Sequence, residues 1–108
     1  MTRKEALAGL IEKVEAGNAD GRCRLTAKAF SQSVPHSFVW SAMDGSLDAA
    51  KELHEAVLTG WWWKVIHPDP SYAQVGMQGI GDYSAETKDP ARAWLLAILR
   101  ALYARETD

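Results

Sequence analysis

Apolar positions recur at helical spacing in three stretches of the chain, and an alternating run lies between the second and third. Near the N-terminus Ala6, Leu7, Leu10, Ile11 and Val14 form one stripe, with Glu12, Lys13 and Glu15 on the other face. Thr2 followed by Glu5 has capping-box spacing, and Gly17-Asn18 supplies a left-handed stop. The pattern predicts a helix over about residues 2–16. Ser46 is a good N-cap for a second helix over about 46–58, with Asp48 in its first turn, where the helix dipole favours an anion. Leu47, Ala50, Leu53, His54, Val57 and Leu58 share its apolar side, and Gly60 ends it. The third begins at Asp89-Pro90, a cap followed by a proline whose missing N–H costs nothing in the first turn. Trp94, Leu95, Ile98, Leu99 and Leu102 make its wide apolar face. Leu96 and the alanines widen it further, which predicts a central, buried helix over about 90–105.

Between the last two helices, Trp61–His67 is rich in aromatic and β-branched residues and stops at Pro68, as a strand would. Alternation sets Trp61, Trp63 and Val65 on one side and Trp62, Lys64 and Ile66 on the other. After the turn Asp69-Pro70-Ser71, residues 72–78 return as a second strand. Here Tyr72, Gln74, Gly76 and Gln78 oppose Ala73, Val75 and Met77. Gly79 and Gly81 break it, and about 82–86 is a candidate third strand or edge. Residues 18–45 are harder to read. Leu25, Ala29 and Phe30 suit a short helix, Ser31–Ser37 reads as a loop around Pro35, and Phe38, Val39, Trp40 and Met43 form an apolar knot pinned to the core. These readings add up to one α+β domain spanning 1–108, a small antiparallel sheet packed with three main helices.

Composition narrows the function more than the fold. At 108 residues, 47 % apolar and 24 % charged, the chain has the make-up of one ordinary globular domain. No apolar stretch approaches the roughly 20 residues of a membrane span, and the charged, periodic N-terminus lacks a signal-peptide core. A single cysteine, Cys23, cannot form an internal disulfide, so a reducing cytoplasm is expected. Twelve basic against fourteen acidic residues argue against direct nucleic-acid binding.

Catalytic and metal-binding patterns are missing. His36, His54 and His67 stand far apart with no ligand spacing among them or with Cys23. His54-Glu55 opens like a metalloprotease helix, but Leu58 occupies the place of the second histidine. His54 falls on an apolar face and reads as a core-edge histidine with one satisfied nitrogen. Gly76, Gly79 and Gly81 run in the order GxxGxG, not the GxGxxG of a dinucleotide loop, and read as backbone punctuation. Arg22 and Arg24 flank Cys23, yet no base or oxyanion site accompanies it. No serine has a nucleophile-elbow context. The expectation is therefore no enzyme, no metal and no cofactor.

Two features invite a binding role. In Trp61-Trp62-Trp63, two indoles can pack under the helices as Trp61 and Trp63, which leaves Trp62 on the opposite face beside Lys64, either exposed or covered by Phe38 or Trp40 of the 18–45 segment. Asp44, Asp48, Glu52 and Glu55 form an acidic stripe, within a region (44–89) of eight acidic and three basic residues. That stripe is either a solvated helix face or a surface for a basic partner. Trp62, Lys64, Asp44, Asp48, Glu52 and Glu55 are accordingly the candidate interaction residues.

The run Asp44-Gly45-Ser46-Leu47-Asp48-Ala49-Ala50-Lys51, carried on through Leu53-His54-Glu55-Ala56-Val57-Leu58 to Gly60-Trp61, resembles small phage and prophage proteins of the phage ABA-sandwich type. So do Ser84-Ala85-Glu86 and Pro90–Leu102. In that group a G-S-L-D-A-A-K helix leads to a G-W strand, and an S-A-E segment precedes a P-A-R-A helix. The resemblance covers about residues 1–17 and 44–105; the triple tryptophan and the Pro68–Pro70 turn are particular to this chain. It implies no catalytic residues. It does imply a phage setting, in the cytoplasm of an infected or lysogenic bacterium, where small proteins often bind and block a host protein. The expected function is a non-enzymatic phage protein acting through protein–protein contact, most sharply an anti-CRISPR-like inhibitor of antiviral defence. Two alternatives stand beside it: a self-associating accessory protein, such as a homodimer, and a small-ligand or nucleotide binder using the hairpin and Trp40. Elemental analysis of purified protein should find less than about one-tenth of an equivalent of zinc, because a real site fills near stoichiometrically. Stoichiometric zinc lost on Cys23→Ala or His36→Ala would reverse the dismissal of that cluster.

Overall fold

A computed structural model of the chain describes residues 2–17, 22–30, 34–66 and 71–106. The elements run α1 (Arg3–Ala16), α2 (Arg22–Ala29), α3 (His36–Met43), α4 (Leu47–Val57), β1 (Trp62–Ile66), β2 (Ser71–Met77), β3 (Gly81–Thr87) and α5 (Pro90–Arg105). The three strands form one antiparallel sheet in the order β1-β2-β3, and the molecule is the expected α+β domain.

The caps that mark the three long helices form as their side chains dictate. Thr2 Oγ1 accepts from the Glu5 amide while Glu5 accepts from the Thr2 amide, both at 3.1 Å. Gly17 turns left-handed (φ 69°) and returns its N–H to Lys13 and Val14. Ser46 Oγ accepts from the Ala49 amide at 3.1 Å. Asp89 Oδ1 takes the amides of Ala91 and Arg92 at 2.9 and 3.1 Å, with Pro90 in the first turn. Each such cap contributes on the order of 1 kcal/mol.

Every residue from Ala93 to Leu99 on α5 is buried. A helix apolar on all sides must be covered on all sides. β2 and β3 cover one side; α1, α3 and α4 cover the other, with α2 packed on α1. The core is therefore built around α5: Leu7 and Leu10 of α1, Val39 of α3 and Leu53 of α4 from the helical layer, Ala73 and Val75 from the sheet.

Two expectations for residues 18–45 change. The apolar knot is helical, since α3 runs through Phe38, Val39, Trp40 and Met43; it begins at His36, inside the segment read as a loop. Pro35 precedes it with no side-chain cap. Leu25 and Ala29 lie in α2, and Phe30, just beyond its end, is buried. Residues 31–33 of the expected loop, and the turn 67–70 with His67, lie outside the described residues.

The central position of α5 has a direct check. Leu99 is fully buried, and Leu99→Ala should cost about 2–5 kcal/mol, roughly 10 °C or more in the thermal midpoint of a domain this size. An unchanged midpoint would contradict the arrangement.

Candidate functional site

The sheet has one covered and one open face. Toward α5 it presents Trp63, Val75 and Tyr83 in one row across the strands and Val65, Ala73 and Ala85 in the next. The opposite face carries three rows: Trp62–Gly76–Asp82, Lys64–Gln74–Ser84 and Ile66–Tyr72–Glu86. Trp62, Lys64, Ile66, Asp82, Ser84 and Glu86 are all exposed, and Tyr72 and Gln74 are half-buried. Strand alternation therefore places Trp62 and Lys64 on the same face, as expected from their spacing, and both are exposed among the described residues.

Trp62 does not stand free in solvent. Its ring lies across the backbone of Gly76, its cross-strand partner, where a Cβ would overlap Cζ2 and Cε2 of the indole. One ring face rests on the sheet, and the side chain as a whole is 46 % exposed. Gln74 Nε2 donates to Asp82 Oδ2 at 2.8 Å and fixes the polar centre of the face. Phe38 and Trp40, which could have folded over Trp62, belong to α3 in the helical layer. There the Trp40 indole N–H donates to Thr26 Oγ1 at 3.3 Å.

Trp63 departs from expectation. It points toward α5, as alternation requires, and packs at a tilt against Trp94 with ring centroids 4.6 Å apart, yet it remains 45 % exposed. The cause is geometric. A helix is about 10–12 Å across and strands are spaced about 4.8 Å apart, so one helix covers two strands well and a third poorly. α5 lies over β2 and β3, and the edge strand β1 overhangs it. Trp61 is buried just before β1, stacked on Tyr83 with the Arg105 guanidinium over its ring.

The edge strand is anchored by His54. Its Nδ1 accepts the Trp94 indole N–H at 3.2 Å, and its Nε2 lies 3.0 Å from the Trp61 carbonyl oxygen. An indole N–H only donates, so Nδ1 carries the lone pair and Nε2–H donates to Trp61. Both nitrogens are satisfied, not one, and the ring ties α4 to α5 and to the start of β1. Burial holds the His54 pKa below the ordinary imidazole value of 6.5, against weaker upward pulls from the Trp61 carbonyl and Glu55.

The acidic stripe is exposed along its whole length. Asp44 follows α3 as its C-cap, Asp48 sits in the first turn of α4, and Glu52 and Glu55 follow on the same helix. Lys51 approaches Glu55 at 3.8 Å, a surface pair of small energetic weight. The stripe belongs to the helical layer, with α5 between it and the sheet. The fold thus separates the acidic stripe from Trp62 and Lys64.

The remaining candidates stay apart. Cys23 is in α2, with its side chain outside the described set, and His36 Nε2 is buried without a hydrogen bond among the described residues. Among those residues no three of His, Cys, Asp and Glu come close enough to hold a metal. Gly79 lies in the β2–β3 turn and Gly81 opens β3, both with positive φ, and Gly76 is a strand residue. A cleft of about 700 Å³ opens where α2, α4 and the end of α5 meet, floored by Phe30, Val57 and Leu102. The Arg3 guanidinium on its rim is already held by the Ala29 carbonyl at 2.7 Å and Glu106 at 2.6 Å.

The His54 bridge sets a pH dependence. As pH falls below about 6.5, the unfolded chain takes up a proton at His54 that the folded chain resists. Stability is therefore full above that range and declines as pH drops toward the lowered folded-state pKa. The thermal midpoint should fall between pH 7.5 and 5.5. His54→Gln should start from a lower midpoint and lose part of that slope, and an equal slope in the variant would remove His54 from the account. Compared with known proteins, the chain matches no family model, no curated relative and no solved structure.

Proposed function

We propose that this protein works without catalysis, by binding another protein, and that the open face of its sheet is the docking surface. One observation carries the reading: Trp62 and Ile66 stand 46 % and 44 % exposed on the same face, in a domain small enough to need its large apolar side chains for its core. Exposed aromatic and aliphatic groups ringed by polar ones are the composition of a protein-binding hot spot. Here Lys64 lies between Trp62 and Ile66 on β1, Gln74 beside it on β2, and Asp82, Ser84 and Glu86 line the β3 side of the face. With one cation against two anions, the face is poorly suited to phosphates and well suited to a mixed protein surface.

In the phage setting implied by the resemblance, the partner is a host protein and the consequence of binding is inhibition, most sharply of an antiviral defence factor. The acidic stripe of α4, exposed on the other side of α5, offers such a partner's basic region a second contact. The ligand-binding alternative loses support, because the hairpin and Trp40 lie in different layers with α5 between them.

The test separates an anchor from a core residue. Trp62→Ala should leave the thermal midpoint within a few degrees while abolishing capture of the partner from lysate of the bacterial host. A midpoint lower by about 10 °C or more, with binding per folded molecule unchanged, would make Trp62 a core residue and overturn the reading.

A further inference from the structure

We propose that a second copy of this chain covers the open face, the two sheets packing face to face about a twofold axis that runs along β2. This gives the surface proposed above a second occupant, which competes with the host partner for Trp62, and it rests on the reading of that face as a docking surface.

The argument is one of charge and shape. The open face is electrically polar across its strands: its cation, Lys64, is on β1, and its anions, Asp82 and Glu86, are on β3. A twofold axis along β2 lays β1 of each copy over β3 of the other. Lys64 then sits above the partner copy's Ser84, flanked by that copy's Asp82 and Glu86, and the same contacts recur on the other side of the axis. An axis perpendicular to the strands would instead stack Lys64 on Lys64 and anion on anion. Edge-to-edge pairing through β1 would leave Trp62 and Ile66 uncovered. The axis along β2 is therefore the symmetric arrangement that sets Lys64 between opposite charges, and it lays Trp62 over the partner copy's Asp82 and Ile66 over its Glu86.

Shape agrees. Aligned sheets pack about 10 Å apart, which calls for side chains of matched bulk between them. On the axis, Gly76 faces Gly76 of the other copy. Neither contributes a side chain there, and each hollow is already filled by the Trp62 ring lying across it. The two indoles thus occupy the space between the two glycines, while Ile66 and Tyr72 fill the third row.

The face is small. Three strands of five to seven residues present roughly 14 by 20 Å, below the footprint of a standard tight interface. The dimer should therefore be weak, with a Kd of about 10–500 µM.

Sedimentation equilibrium from about 5 µM to 1 mM provides the test, on wild type, on Lys64→Glu and on the double variant Asp82→Lys/Glu86→Lys. All three positions are exposed, and unchanged thermal midpoints confirm that each variant folds. Wild type should dimerise, and each variant alone should dimerise at least about tenfold more weakly, because each sets like charges against one another. An equimolar mixture of the two variants should dimerise at least as well as wild type, since both contacts then pair a carboxylate with an ammonium. A wild-type chain monomeric to 1 mM, variants that dimerise as well as wild type, or a mixture no better than its components would each overturn the proposal. A monomeric wild type that still captures a host protein through Trp62 ends self-docking alone; loss of both ends the protein-binding reading too.

Discussion

The structure depends on the burial of α5 from every side. A helix with no polar face cannot lie on the surface of a domain, so the chain must supply two layers to enclose it. The N-terminal helices supply one and the sheet the other. The consequences reach the surface. Because one helix cannot cover three strands, β1 is left at the margin, and with it the aromatic residues that give the protein its most unusual exterior. The arginines of α5 tie the layers together at its flanks. Arg92 donates to the Met43 carbonyl at 2.6 Å, and Arg100 joins the Ser84 carbonyl to Glu15.

His54 solves a problem that this arrangement creates. A strand hanging past its helix has little apolar area holding it down. The imidazole adds two directional bonds at that point, one to the backbone where β1 begins and one to the Trp94 indole against which Trp63 packs. Its burial as a neutral ring links the attachment of the edge strand to protonation.

What could be read from the sequence depended on local signals. The helices at both ends and α4 carry side-chain caps that act within three residues, so their starts are visible in the chain itself. The short helix α2 was legible from Leu25 and Ala29, whereas α3, two turns long with no side-chain cap, is helical through tertiary contact. Period-two alternation assigned the residues of β1 and β2 to the right faces and placed Trp62 beside Lys64. Alternation says nothing about what lies over a face, so the exposure of Trp63 was hidden. So was the second bond of His54, whose partner Trp94 lies 40 residues away. The acidic stripe was legible as a stripe, but its separation from the tryptophan surface follows only from the position of α5.

The pairing of Trp62 with Gly76 has one more consequence. An exposed tryptophan ordinarily samples several rotamers, and a partner that grips it must first freeze that motion, at a cost of around 1 kcal/mol. Here the bare glycine backbone forms a seat that a β-carbon would close, and the indole already lies in it. Ordering of the ring takes place during folding, before any encounter. In the proposed association, the missing side chain of Gly76 would act by removing entropy from the free state, and rigidity in the unbound molecule would compensate in part for a small contact face.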